Sequence, residues 1–268
     1  MKKLFFVTIL ASLISVILAF AVFAEEEIDA SDPTKIYSYA GAGIKYTDYT
    51  NDETMWELRA TGNLGLSDSD MVMFELGYGW HDGDLVEGDN DGLTNGRLRW
   101  FHLFGMDYSV ESGYRGLATQ VDLQIAGKIK GTDGQNTLVI GALPAFAINE
   151  QLSFYLALNA VNSWDKNFDH YNGFGVGAAP LLVYVPGNWW PGAYIQLWPN
   201  YTWFVTGELS DTGSGSIDVI TGGTITPTVL WSATWQQNVD EDLKTFRRGR
   251  DTGLKNDWNL FVNITSYF

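Results

Sequence analysis

The chain of 268 residues holds no cysteine. That removes disulfides, thiolate metal ligands and cysteine nucleophiles together, although an oxidising compartment would have permitted disulfides. Histidine is scarce, at three copies, so few positions are open to imidazole chemistry. Basic residues number 16 against 32 acidic ones, a formal charge of −16. Such a balance argues against nucleic acid, whose phosphates demand Lys and Arg. Seven prolines are spread out, and no low-complexity linker marks a hinge. After Phe23 no apolar run is long enough to cross a bilayer as a helix.

What is present starts with Lys2 and Lys3, followed by an apolar stretch from Leu4 to about Phe23 and by Val22, Phe23 and Ala24. The order is that of a secretory signal peptide, expected over 1–24 with cleavage after Ala24. A retained signal anchor is the alternative, since about 20 apolar residues suffice for a helical span. Glu25, Glu26 and Glu27 open a short leader over 25–35, and 36–268 is expected to form a single domain. Without Lys2 and Lys3 the basic residues fall from 16 to 14 against the same 32 acids. The leader is expected to lie in the periplasm.

From Ile36 onward, segments of about ten residues alternate between apolar and polar, separated by Gly, Asp and Asn turns; this is the length a tilted strand needs to cross hydrocarbon. Twelve strands fit: 36–49, 54–66, 71–81, 97–109, 114–128, 137–148, 152–164, 173–185, 192–207, 216–226, 229–237 and 257–268. In the second, Trp56, Leu58, Ala60, Leu64 and Leu66 oppose Glu57, Arg59, Thr61 and Asn63. In the third, Val72, Phe74, Leu76, Tyr78 and Trp80 oppose Glu75 and several glycines. Strands ten and eleven are the weakest, because Gly222, Gly223 and Pro227 interrupt them, and ten strands is the alternative count. A soluble barrel with its apolar set inside has the same period. Two further features favour a membrane. Aromatics make up 15% of the chain, as in the girdles of membrane barrels. Short connections near 68–70, 111–113, 149–151, 186–191 and 227–228 also alternate with longer ones near 82–96, 131–136, 165–172, 208–215 and 238–256.

The final segment places Trp258, Leu260, Val262, Ile264 and Phe268 on one face and Asn259, Asn263 and Thr265 on the other. This ending resembles the C-terminal signature of Gram-negative outer-membrane β-barrels, over about one strand and with Ser266 departing from the usual hydrophobe. The resemblance implies an all-β fold, a transmembrane antiparallel up-and-down barrel of the porin-like class in the outer membrane. It also implies recognition of Leu260, Val262, Ile264 and Phe268 by the barrel-assembly machinery.

With apolar faces toward lipid, the lumen gathers Glu57, Arg59, Glu75, Arg97, Arg99, Gln120, Asp122 and Gln124 from strands two to five. Mixed charge on the wall of a narrow bore sets selectivity for small solutes. A network pairing across strands would instead fill the lumen, leaving a structural or surface-interaction barrel. Arg97 and Arg99 are expected at the mouth, and Gly77, Gly79, Gly105, Gly141, Gly175 and Gly177 are expected to leave inward room. The acids of 82–96 lack the spacing of an EF-hand, so no metal is expected there, and no cofactor is expected anywhere. Lys244, Arg247, Arg248, Arg250 and Lys255 face outward in this topology, where lipopolysaccharide phosphates lie, and pairing with the interleaved Asp240, Glu241, Asp242, Asp251 and Asp257 is the favoured reading of them.

Barrel lipases and proteases place a Ser or Asp two residues from a His on one strand face. Positions two away from His81, His102 and His170 carry Gly79, Gly83, Trp100, Phe104, Phe168 and Asn172. None serves, so no catalytic residue is assigned and the lipid-modifying enzyme stays a third reading.

Overall fold

The computed structural model describes residues 28–49, 53–82, 90–127, 129, 135–187, 189–238 and 256–268. Twelve strands close into one antiparallel up-and-down barrel: β1 Tyr39–Tyr49, β2 Thr54–Gly65, β3 Asp70–His81, β4 Asp91–Phe104, β5 Gly113–Ala126, β6 Asn136–Asn149, β7 Leu152–Trp164, β8 Tyr171–Tyr184, β9 Tyr194–Gly207, β10 Thr212–Thr226, β11 Val229–Asn238 and β12 Asn256–Tyr267. Closure is made by β1 and β12, in register from Tyr39 opposite Tyr267. Neighbouring strands satisfy every edge, which is why a closed barrel is a stable way for strands to sit in hydrocarbon. Ten strands is thereby excluded. The two glycines that weaken the pattern, Gly222 and Gly223, lie inside a continuous β10 paired to both neighbours.

Side chains sort by the two-residue period. Ile44, Trp56, Leu76, Leu98, Val121, Ile140, Leu158, Val176, Leu197, Trp235 and Val262 stand exposed on the outer face. Exposed apolar surface on this scale, continuous around the ring, suits lipid and not water. Gly65 and Ser38 join the strand ends where β1 begins, and Phe268 N–H donates to Ser38 O at 3.0 Å, so both termini of the barrel lie at one end. That end is called the terminal end below, and the opposite one the far end.

Two expectations about connections change. The strand expected over 97–109 runs six residues further toward the far end, from Asp91, and stops at Phe104. Gly105, with φ +56, then reverses the chain and turns Met106 away from lipid to pack against the interior core. At the terminal end 150–151 and 227–228 are tight but 105–112 and 185–193 are long, while at the far end 208–211 is short because β10 begins at Thr212. The acids Asp84, Glu87 and Asp89, the basic segment from Lys244 to Lys255, and the signal-peptide and leader residues 1–27 lie outside the described residues.

Along β3 to β8 the terminal half of the interior is not polar. Met71, Phe101, Leu103, Leu143, Tyr155, Ala157, Leu181 and Val183 form a buried cluster, with Ile36, Met73, Met106 and Trp198 packed on it. Residues 28–38 fold back against this end without joining the sheet. Two side-chain turns shape them: Asp29 accepts from Ser31 N and Oγ, and Asp32 accepts from Thr34 N at 2.9 Å and Thr34 Oγ1 at 2.5 Å.

Candidate functional site

Midway along the bore, β2 to β5 carry one zigzag of charge. Arg59 Nε reaches Glu57 at 2.6 Å and its Nη1 reaches Glu75 at 3.4 Å. Arg97 Nη1 lies 3.5 Å from the same Glu75, and its Nε and Nη2 grip Asp122 at 3.0 and 2.6 Å. Arg99 Nη2 adds a third contact to Asp122 at 3.0 Å, and Gln124 Nε2 a fourth at 3.1 Å. Strand pairing dictates the order, since Glu75 faces Arg97 across β3–β4 and Arg99 faces Asp122 across β4–β5. Glu57 and Asp122 are almost wholly covered, at 1% and 2% exposure. Carboxylates buried this far require polar partners, and the guanidinium forks supply them.

All eight residues expected in the lumen therefore face it, and seven form one network. Gln120 stands apart and donates to Asn159 Oδ1 at 2.8 Å. Arg97 and Arg99 sit at mid-depth and not at the mouth, because β4 begins at Asp91. The inward glycines do not leave open room at Gly77 or Gly141. A Cβ on Gly77 would meet Glu57, Thr94 and Asn95, and one on Gly141 would meet Asn159 and Gln120. Their hydrogens make space for neighbouring polar side chains. Gly105 is not on an inward strand face at all.

The sequence reading missed the opposite wall. There Asp218 accepts from Ser216 Oγ and Gln236 Nε2, each at 2.9 Å, and Asn259 Nδ2 donates to Gln236 Oε1 at 2.7 Å. Asn200 Nδ2 joins at Ser216 Oγ, 2.7 Å away. Lys45 on β1 lies between the walls, within electrostatic reach of Glu57, Glu75 and Asp218. The mid-depth ring so holds four cations, Lys45, Arg59, Arg97 and Arg99, against four acids, Glu57, Glu75, Asp122 and Asp218. Its net charge is close to zero. Alternation in 39–49 does place Lys45 inward with Gly41, Gly43 and Thr47, and that was the signal available.

Between the ring and the terminal end lies a chamber of about 190 Å³. Its wall includes Thr61, Glu75, Ser232, Asn263 and Thr265, and Tyr39, Tyr194 and Tyr267 narrow it toward Ala30 of the N-terminal segment. A larger apolar groove of about 800 Å³, bordered by Ile140, Leu158, Val176 and Tyr201, opens on the outer face of β6 to β9. Those bordering side chains point toward lipid, so the groove is not part of the bore.

The floor of the chamber is held by charge. Lys35 Nζ contacts Asp29 Oδ2 at 2.7 Å. Burial raises the Asp29 pKa, but hydrogen bonds from Lys35 and Ser31 outweigh it and leave the carboxyl below its ordinary 3.8. For Lys35, burial lowers and Asp29 raises, with a net rise above 10.5. The pair's contribution is therefore complete between these ordinary values, fades as pH falls through the lowered carboxyl pKa, and fades again above 10.5. Exchange protection of the Ser31 amide, which bonds Asp29 Oδ1 at 3.1 Å, is expected to be level from about pH 5 to 8 after correction for intrinsic rate, and to be lost only below pH 3.8, as pH falls through the lowered carboxyl pKa. Protection left unchanged at pH 7 by Asp29→Ala would remove this role.

Each histidine lies against a carboxylate from elsewhere in the chain: His81 and Glu53 at 3.5 Å, His102 and Asp70 at 2.9 Å, His170 and Glu208 at 3.0 Å. His102 is not a bare ring in lipid, since Asp70 also accepts from Trp100 Nε1 at 3.1 Å and Ser67 Oγ at 2.8 Å. This polar cluster sits where the outer face meets the terminal rim. Among the described residues no group of three or more acids and histidines is arranged to hold a metal.

No family model matches the chain. No characterised relative matches it by sequence either. Solved structures do. The COG4313 outer membrane channel from Pseudomonas putida F1 superposes with a TM-score of 0.59 at 12% identity, over 91% of this chain and 100% of that one. The NanC porin gives 0.55 at 7% identity, over 86% and 99%. The KdgM porin, solved in complex with disordered oligogalacturonate, gives 0.52 at 8% identity over 86% and 99%. At these identities the likeness is one of fold, and the twelve-stranded barrel of this chain is similar to the barrels of these outer-membrane channels.

Proposed function

We propose that the chain is an outer-membrane β-barrel that passes small solutes through a narrow, internally paired lumen. The observation that carries this reading is the polar chamber, enclosed between the charged ring and the tyrosine collar, inside a barrel whose outer face is apolar. Barrels of about eight strands are filled by their own side chains, whereas wider ones leave space, and twelve strands leave this much. The channels of similar fold support the same reading. In this proposal the terminal end faces the periplasm, the far end faces outward, and Leu260, Val262, Ile264 and Phe268 present the assembly signal to the barrel-assembly machinery. The eight residues from Glu57 to Gln124, with Lys45 and Asp218, line the solute path.

A ring with balanced charge selects weakly between anions and cations. Reversal potentials in a salt gradient are expected to lie near zero for the unaltered protein. Lys45→Met should shift them toward cation preference and Asp218→Asn toward anion preference. Shifts of the same sign, or none in either variant, would mean that these groups do not line the conducting path.

A second reading has its own observation. The apolar cluster around Met71, Phe101 and Leu181 and the packed segment 28–38 fill the terminal half, as in a structural barrel with a blocked lumen. The lipid-modifying reading is weaker, because no serine or aspartate stands two positions from any of the three histidines.

A further inference from the structure

Strands six places apart in a ring of twelve stand on opposite walls, so β7 faces β1 across the bore. Residues 28–38 enter β1 directly, yet they touch β7. Ile36 packs on the cluster that holds Tyr155 and Ala157 of β7, and Asp32, within electrostatic reach of Tyr155, has its Oδ2 3.9 Å from Arg115 Nη1 of β5. Gln196 Nε2 of β9 donates to Ser31 O at 2.8 Å, and Tyr108 OH donates to Thr34 O at 2.7 Å. On the near side Asn63 Nδ2 of β2 donates to Tyr37 O at 2.6 Å, while Ile28 packs with Leu230 of β11 and Tyr267 of β12. The segment therefore spans the bore and touches the wall on all sides.

We propose that residues 28–38 are a displaceable plug that closes the terminal end of the bore. The proposal rests on the channel reading above and adds its regulation. Three features make the segment removable. It shares no strand ladder with the wall, so leaving costs a handful of side-chain contacts and no sheet. Its internal bonds, Asp29 to Ser31 and Lys35 and Asp32 to Thr34, travel with it and keep it one body. Finally, Ala30 is part of the chamber's floor, so withdrawal about the Ser38–Tyr39 junction opens the chamber to the terminal side. The grip is mainly polar. Ile28, Ile36 and Tyr37 are its apolar anchors, and Ser31, Asp32 and Thr34 are buried against wall groups that water can replace.

The absence of cysteine makes a direct test clean. Ser232→Cys places one thiol on the chamber wall, to be labelled by a small water-soluble methanethiosulfonate in detergent-solubilised protein. Deleting residues 28–37 is expected to raise the labelling rate at least about tenfold. A milder variant, Asp32→Ala with Gln196→Ala, removes two holds without shortening the chain and should raise the rate in the same direction; heat-modifiable migration on gels confirms that each barrel is closed. Bridging Ser31→Cys to Gln196→Cys with a reducible thiol crosslinker should hold a separately engineered reporter, Thr265 replaced by a photoreactive residue, out of reach of a water-soluble probe until the bridge is reduced. Equal labelling of Ser232→Cys in the full chain and in both variants would overturn the plug. Labelling is read without solute passage, so a fast-labelling deletion variant that leaves a bilayer silent would sink the channel reading and leave the plug standing. Slow labelling in a conducting deletion variant would do the reverse.

Discussion

Asp122→Ala is expected to destabilise the barrel by about 3 kcal/mol, the low end of the roughly 3–5 kcal/mol that follows when one partner of a buried ion pair is removed. Asp122 takes hydrogen bonds from Arg97, Arg99 and Gln124 and is itself covered. Its loss leaves Arg99 without an ionic contact at a position only 11% exposed. Arg97 suffers less, because Glu75 remains 3.5 Å away and its own side chain is 27% exposed to the bore, where water rehydrates it. That exposure is why the low end applies. Adding Arg99→Met should restore part of the loss, since an apolar group in place of an orphaned buried cation has no desolvation cost. Urea unfolding in bilayers would show a lower midpoint with an unchanged slope for the single variant and a partial return for the double one. A single variant as stable as the parent would mean that the zigzag is not a structural element of the wall.

Leu98→Arg is expected to cost about 2–4 kcal/mol, the range for arginine on the lipid face at the bilayer midplane. Leu98 is outward, mid-strand and 53% exposed, one residue from the inward Arg97. The same substitution at Leu64, near the terminal end of β2, should cost about 1 kcal/mol or less, because the penalty falls toward the interface. The gradient matters more than either value. In water an exposed leucine is replaced by arginine at almost no cost, so two neutral substitutions would contradict a lipid-facing belt.

Strand positions were legible because most of the wall obeys one rule, apolar outward and polar inward, and the alternation in β2, β3 and β5 carries it openly. β4 was legible only from Arg97 onward. Its first residues, Asp91-Gly92-Leu93-Thr94-Asn95-Gly96, lack alternate apolar side chains, and the irregular pairing beyond Gly77 displaces the period as well. The filled terminal half was illegible for the opposite reason. Where both faces are apolar, as along Ala179-Pro180-Leu181-Leu182-Val183, the period disappears and inward cannot be told from outward. Six of the eight charges in the ring followed from the clustered acids and arginines of β2 to β5. Lys45 and Asp218 are single charges among apolar neighbours, and only closure of the sheet brings them to the same depth. The plug left a local trace in Asp29-Ala30-Ser31 and Asp32-Pro33-Thr34, whose side-chain turns can be read directly. Its seat could not be, because Ser31 and Gln196 meet across 165 positions of chain.

The central claim is that this barrel conducts, and planar bilayers test it most directly. The full chain is expected to give brief, small, discrete conductance steps, and the variant lacking residues 28–37 longer and larger ones. Bilayers that stay silent with both proteins, each shown to be folded by heat-modifiable migration, would contradict the account and leave a barrel with a filled lumen.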